Sequence, residues 1–152
     1  RFCYCDTAST KKVYTVSTVT AASWEAAKQS CVTQGKQLAM PLDTEESANM
    51  MAAAPNTKFW FGITNTGGSW VLADGRSATY LNWSPGEPNN GNNACAYSPV
   101  PARSGQFDDA PCSWNNLYYM CETIPQAVDT AVDTAVYVTP CTSDGGEYTV
   151  SG

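Results

Sequence analysis

Phe59-Trp60-Phe61-Gly62-Ile63 is the stretch on which the fold turns. Aromatic and β-branched side chains packed this densely read as a buried strand, because they suit the pleated, covered surface of a sheet. Upstream of it the pattern changes to helical. Ser23 can cap a helix from about Trp24 to Gln34, with Gly35 as its C′ stop. Trp24, Ala27 and Cys31 share one face of that helix, leaving Glu25, Lys28 and Gln29 to solvent. A second helix opens at Asp43, which has capping-box spacing to Glu46, and ends before Pro55. The first twenty residues, with Cys3, Cys5, Tyr14, Val16 and Val19, alternate enough for one or two short strands. Downstream, Asn65 to Arg103 is dominated by Gly, Asn, Pro and Ser, with Trp70, Tyr80 and Trp83 as apolar anchors. That composition reads as one long loop region. Leu117 to Glu122, which contains Cys121, closes the segment as an apolar strand.

Beyond Glu122 the character shifts. Ala127-Val128-Asp129-Thr130 is repeated at once as residues 131–134. Valines 128, 132 and 136 would line one face of a helix, whereas Val and Thr favour strands, so both forms stay open. Two units are too few for a repeat architecture. The chain is therefore divided into a domain at 1–122 and an extension at 123–152, packed on that domain or tethered to it.

Composition excludes several classes. The 152 residues are 43% hydrophobic, enough for one respectable core. Net charge is −6, and the eight Lys and Arg residues are scattered, which argues against nucleic acid, since phosphate neutralisation needs a basic patch. No apolar run approaches the roughly 18 residues of a membrane span. Seven cysteines point to an oxidising compartment, and a first residue other than Met is what removal of a signal peptide leaves. The expected location is secreted or extracellular. There is no histidine, so neither a Ser-His nor a Cys-His couple can form, and the chain is not expected to be an enzyme.

Two clusters of hard oxygen donors stand near cysteines. Glu87 and Asn89, on either side of Pro88, precede Cys95; Asp108-Asp109 precede Cys112. A bond between those cysteines would draw three carboxylates and an amide together at one loop base. Oxygens converging from two loops are what calcium requires, about 6–8 of them at roughly 2.3–2.6 Å. A hydroxyl-rich ligand can complete such a shell.

These residues, in this order, resemble the C-type lectin-like domain. The resemblance runs from about Ser23 to Glu122, the core match being 23–122. It rests on Ser23-Trp24-Glu25-Ala26-Ala27 leading to Cys31, and on Trp60-Phe61-Gly62-Ile63, similar to the family's Trp-Ile-Gly-Leu motif. Trp70, Asp74-Gly75 and Asn82-Trp83 follow, and Cys95, Cys112 and Cys121 stand in the family's order. It implies an α+β, disulfide-stapled fold: two helices flanking small antiparallel sheets, with a long calcium-binding loop region. It implies the bridges Cys31–Cys121 and Cys95–Cys112. Cys3, Cys5 and Cys141 remain; the simplest account pairs Cys141 with one of the first two and leaves the third free or bonded to a partner chain. Such a bond would make a disulfide-linked oligomer, and a non-covalent one stays open.

For the site, the resemblance matches Glu87-Pro88-Asn89 to the family's Glu-Pro-Asn triplet, whose proline is cis. The family's Trp-Asn-Asp reads here as Phe107-Asp108-Asp109, with Cys112 in register, and the family's loop glutamate is replaced by Asn93. The two departures oppose each other, so the carboxylate count stays at three. The implied metal ligands are Glu87, Asn89, Asn93, Asp108 and Asp109, for one calcium. A second calcium position is expected to be lost, because its acidic places fall near Asn65, Asn90 and Ala94. The sugar-binding set is Glu87, Asn89, Asn93 and Asp108, with Trp114 beside them. The expected function is a secreted calcium-dependent lectin of mannose-type preference, for glycans with equatorial 3,4-diols. The alternative is a lectin-like adhesion domain for a protein receptor, a mineral or ice. With no histidine, calcium-dependent binding is expected to hold down to about pH 6 and then fade as carboxylates protonate. Asn82-Trp83-Ser84 fits a glycosylation sequon, though burial of Trp83 argues against its use.

Overall fold

In the computed structural model, residues 11–100 and 105–123 are described. The readings for Cys3, Cys5, Cys141, the duplicated Ala-Val-Asp-Thr stretch and the extension from 124 onward lie outside the described residues. Those described fall, but for Lys11, within one compact unit, Lys12–Ile124.

The element order is β1 (Tyr14–Val16), α1 (Trp24–Thr33), β2 (Gln37–Leu38), α2 (Thr44–Ala52), β3 (Phe59–Asn65), β4 (Val71–Leu72), β5 (Ala94–Ser98), β6 (Asp108–Pro111) and β7 (Tyr118–Glu122). Strand β3 is buried at every position, as its composition predicts. It lies at the middle of the sheet order β1-β7-β3-β5-β6, with β2 against β7 and β4 against β3. The helix stops follow sequence chemistry. Ser23 Oγ accepts from the Ala26 amide at 3.1 Å. At the other end, Gly35 has φ 70°, and the amides of Gly35 and Lys36 donate to Val32 and Cys31, the paired bonds that close a helix at a left-handed residue. Asp43 Oδ1 accepts from the Glu46 amide at 2.8 Å, while Glu46 reaches back to the Leu42 amide.

The two helices and the small antiparallel groups are present as expected; β3 and β7 pair in parallel through Phe59↔Tyr118 and Trp60↔Tyr119, which joins those groups into one mixed sheet. One expectation needs correction. The region from Asn65 to Arg103 is not all loop, since it contains β4 and β5. Ala94-Cys95-Ala96-Tyr97-Ser98 has weak strand propensity, and pairing on both sides, with β3 and β6, overrides it.

The side chains of β3 divide the core. Phe59, Phe61 and Ile63 join Met40, Met50, Phe107 and Met120 on one face. Trp60 joins Trp24, Cys31, Leu117 and Cys121 on the other. The disulfides Cys31–Cys121 and Cys95–Cys112 both form, the first tying α1 to β7 and the second holding β5 to the turn after β6. A polar knot fixes the opposite edge: buried Glu122 accepts from Gln37 at 2.7 Å and pairs with Lys12 at 3.4 Å, and Lys12 also pairs with Glu46 at 2.7 Å.

Gly62 shows why the central strand needs a glycine. Its amide donates to the Ala39 carbonyl at 2.6 Å. A Cβ there would stand 2.6 Å from Met40 Cγ and 2.9 Å from the Leu38 carbonyl oxygen. Gly62→Ala is therefore expected to cost about 1–3 kcal/mol by overpacking. Urea denaturation measures it; a variant as stable as the parent would show that the β2 backbone yields freely.

Candidate functional site

The site grows from the junction of the long loop with edge strand β6. The Glu87 amide donates to the Ser84 carbonyl at 2.9 Å, closing a turn through Pro85-Gly86 that delivers Glu87 to the sheet edge. The Glu87–Pro88 peptide is cis. Asn89 Nδ2 then donates to Glu87 Oε1 at 2.9 Å. The backbone amides of Asn89 and Asn90 donate to Asp109 Oδ1 and Oδ2 at 2.9 and 3.1 Å. Asn90 Nδ2 also donates to the Asp109 carbonyl at 2.8 Å and to Asn89 Oδ1 at 2.8 Å. Glu87, Asn89 and Asp109 are thus joined by direct hydrogen bonds, with Asp108 next in the chain.

Asn93 is placed differently. It has φ 64°, its amide donates to the Asn65 carbonyl, and its own carbonyl accepts from Cys112. Asp109 pairs with Ala96 across the ladder, and Asn93 stands just before β5, next to the Ala94–Pro111 pair. No hydrogen bond joins its side chain to the cluster among the described residues, nor does one link it to Asp108.

Electrostatics reinforce the picture. Burial, a hydrogen bond with Asp109 and the negative charges of Asp108 and Asp109 push the Glu87 carboxyl up to about 7. Burial also acts to raise Asp109, but the amide of Asn89, Glu87 and the two donors of Asn90 outweigh it and hold its carboxyl below the ordinary value. Tyr97, directly opposite Asp108 on β5, has its phenol pushed up to about 12 by burial and by the carboxylates of Asp108 and Glu87.

Two carboxylate oxygens, Glu87 Oε2 and Asp108 Oδ1, are shielded from solvent and accept no hydrogen bond. Crowding three carboxyls out of solvent is costly; without metal a proton held between Glu87 and Asp109 relieves part of the repulsion, and a hard cation is a partner that suits the same oxygens. The donors present, carboxylate and amide oxygens without thiolate or imidazole, fit such an ion. Among the described residues no three acidic, Cys or His side chains already converge as a metal cluster. The Asp109 carboxylate faces the Asn89 and Asn90 amides instead, and these side chains would have to rotate locally to face a cation.

Two contributors escape a sequence reading. Asn90 is the hub of the loop contacts, and its only advance signal is being a second amide after Pro88-Asn89. Tyr97 is hidden because nothing in the sequence sets its register against Asp108. Trp114 is 41% exposed, with its ring 6.1 Å from that of Tyr97. Asn82 Nδ2 donates to the Gly105 carbonyl and Ser84 is buried, so the sequon is engaged by the fold.

Residues 20–123 match the family model described as the lectin C-type domain. The chain belongs to the C-type lectin domain family. A mannose-binding protein of Gallus gallus is 36% identical over 99 residues, covering 62% of this chain and 38% of that protein. A tetranectin-like protein of Carcharhinus perezii is 28% identical over 107 residues, 66% of this chain and 64% of that one. The chain thus spans less than two thirds of either relative. Among solved structures, the carbohydrate-recognition domain of a mouse scavenger receptor C-type lectin superposes with a TM-score of 0.65 at 25% identity, covering 76% of this chain and 92% of that one. A calcium-independent type II antifreeze protein superposes with a TM-score of 0.62 at 25% identity, covering 74% and 85%. Within this C-type lectin domain, no helix among the described residues is long and apolar enough to cross a membrane.

Proposed function

We propose that this C-type lectin domain is a secreted, non-enzymatic carbohydrate-binding module. In this reading one calcium is held by Glu87, Asn89, Asn93, Asp108 and Asp109, with Asn93 reaching in from the entry to β5. The observation that carries it is the crowding of the Glu87, Asp108 and Asp109 carboxyls at one loop base, with Glu87 Oε2 and Asp108 Oδ1 shielded from solvent. Bound there, the ion supplies a point of attachment for a vicinal diol. The surrounding carboxylates accept the sugar's hydroxyl protons, and the amide of Asn89 donates to its oxygens. The Glu-Pro-Asn triplet supports a mannose-type preference, for 3- and 4-hydroxyls that are both equatorial.

Calcium, and not magnesium, should raise the melting temperature, because a ligand of the native state stabilises it by about 2.7 kcal/mol at a hundredfold excess over Kd. Retention on a mannose resin should vanish with a chelator. Absence of both effects overturns the proposal.

The pH dependence follows from Glu87. Protons compete with calcium for a carboxyl raised to about 7, so calcium affinity should decline between about pH 8 and 6. This revises the plateau expected from the absence of histidine. In the metal-free protein the sign is opposite: the raised carboxyl contributes stability at acid pH that is lost as pH rises through about 7. The calcium-induced melting shift, measured across this range, should therefore grow with pH; a flat profile would dissociate Glu87 from the ion.

A second reading is favoured by the likeness to a calcium-independent antifreeze protein and by the departures from the family pattern at Asn93 and Asp108. It makes the domain an adhesion module for a receptor, a mineral or ice. Ice recrystallisation or mineral adsorption that persists in chelator would select it.

A further inference from the structure

Four strands carry one row across the sheet: Tyr119 on β7, Trp60 on β3, Tyr97 on β5 and Asp108 on β6. Trp60 is fully buried and meets Tyr97 edge-on, with ring centroids 6.2 Å apart. Tyr97 is half-buried and meets Trp114 at 6.1 Å. Trp114 follows the Cys95–Cys112 bridge, and its amide closes a turn on the Pro111 carbonyl at 3.0 Å. The row therefore grades from core to surface. It ends in an exposed indole on a base locked by packing, a disulfide and a turn. Pre-organised aromatics lose little freedom on binding and make good contact surfaces.

Charge narrows the partner. Glu87, Asp108 and Asp109 lie beside this ledge, so an anionic ligand is repelled. The π-faces of Tyr97 and Trp114 are electron-rich and prefer positively polarised C–H groups. The C–H face of a neutral sugar ring meets both demands. Tyr97 stands directly opposite Asp108 and its ring lies 6.1 Å from that of Trp114, so a surface two rings wide adjoins the carboxylates and is more than one sugar ring held there would use.

We propose that Tyr97 and Trp114 form a second subsite that receives the neutral sugar residue linked to the one held at the carboxylate cluster, making this domain a reader of oligosaccharides. The proposal rests on the lectin reading above, and its test separates the two.

The probes are methyl α-mannoside and a linear mannotriose, titrated calorimetrically at saturating calcium. The parent should prefer mannotriose by about 2- to 12-fold, the range of one aromatic contact. Trp114→Ala should erase that preference, bringing mannotriose affinity down to that of methyl α-mannoside, while calcium affinity holds. Tyr97→Phe, which keeps the ring, should retain the preference. The Trp114 indole N–H resonance should move with mannotriose and not with the monosaccharide. If the parent binds both sugars but Trp114→Ala keeps the preference, the subsite is wrong and the lectin reading stands. If the parent binds calcium and neither sugar, both fall.

Discussion

Glu87→Gln is expected to lower calcium affinity by about 100-fold or more and to remove calcium-dependent sugar retention, because affinity at oxygen sites depends steeply on the count of charged ligands. The metal-free fold should survive it. Gln still offers an oxygen to Asn89 Nδ2, and the substitution relieves the repulsion that raises Glu87. The chelated variant should melt no lower than the chelated parent. Asp109→Asn should cause a similar loss of calcium affinity but behave differently without metal. Its carboxylate accepts the Asn89 and Asn90 amides on separate oxygens, and an amide has only one acceptor oxygen to offer. One loop contact is lost, for about 1–2 kcal/mol. Calcium titration and paired thermal melts in chelator check both halves. Unchanged calcium affinity in both variants would remove Glu87 and Asp109 from the site.

Loss of the Cys31–Cys121 bridge should be the largest stability effect. The two cysteines are 90 residues apart, and in the chain-entropy account a loop of that length is worth about 4–5 kcal/mol. Cys95 and Cys112 are 17 apart, which gives about 3 kcal/mol. Against a total of about 5–15 kcal/mol for an ordinary domain, the first loss leaves little in hand. Paired Cys→Ala variants in urea should therefore rank in that order. The reverse ranking would mean that native-state packing, and not the unfolded chain, sets the value of each bridge.

What could be read in advance was whatever local chemistry dictates. Ser23 and Asp43 cap helices because their side chains offer an acceptor where backbone amides lack one. Phe59 to Ile63 announces itself as a covered strand by side-chain type alone. Strands β5 and β6 do not, because Ala94-Cys95-Ala96 and Asp108-Asp109-Ala110-Pro111 carry little β preference of their own. They are strands because β3 supplies a template and a disulfide holds the register. The site divides in the same way. Glu87, Asn89, Asp108 and Asp109 stood out through their spacing to cysteines, whereas Asn90 and Tyr97 matter only through contacts that folding creates.

Strand β6 ends the sheet, so its outer backbone is a template onto which another chain could add itself. The long loop closes that template: Asn90 Nδ2 occupies the Asp109 carbonyl, and the Asn82 carbonyl and Ser84 amide engage Phe107 just before the strand. Consecutive aspartates and a proline further discourage strand addition. The carboxylates proposed for recognition would thus also guard solubility, and a variant that frees the loop is expected to self-associate as well as to lose the proposed ligand.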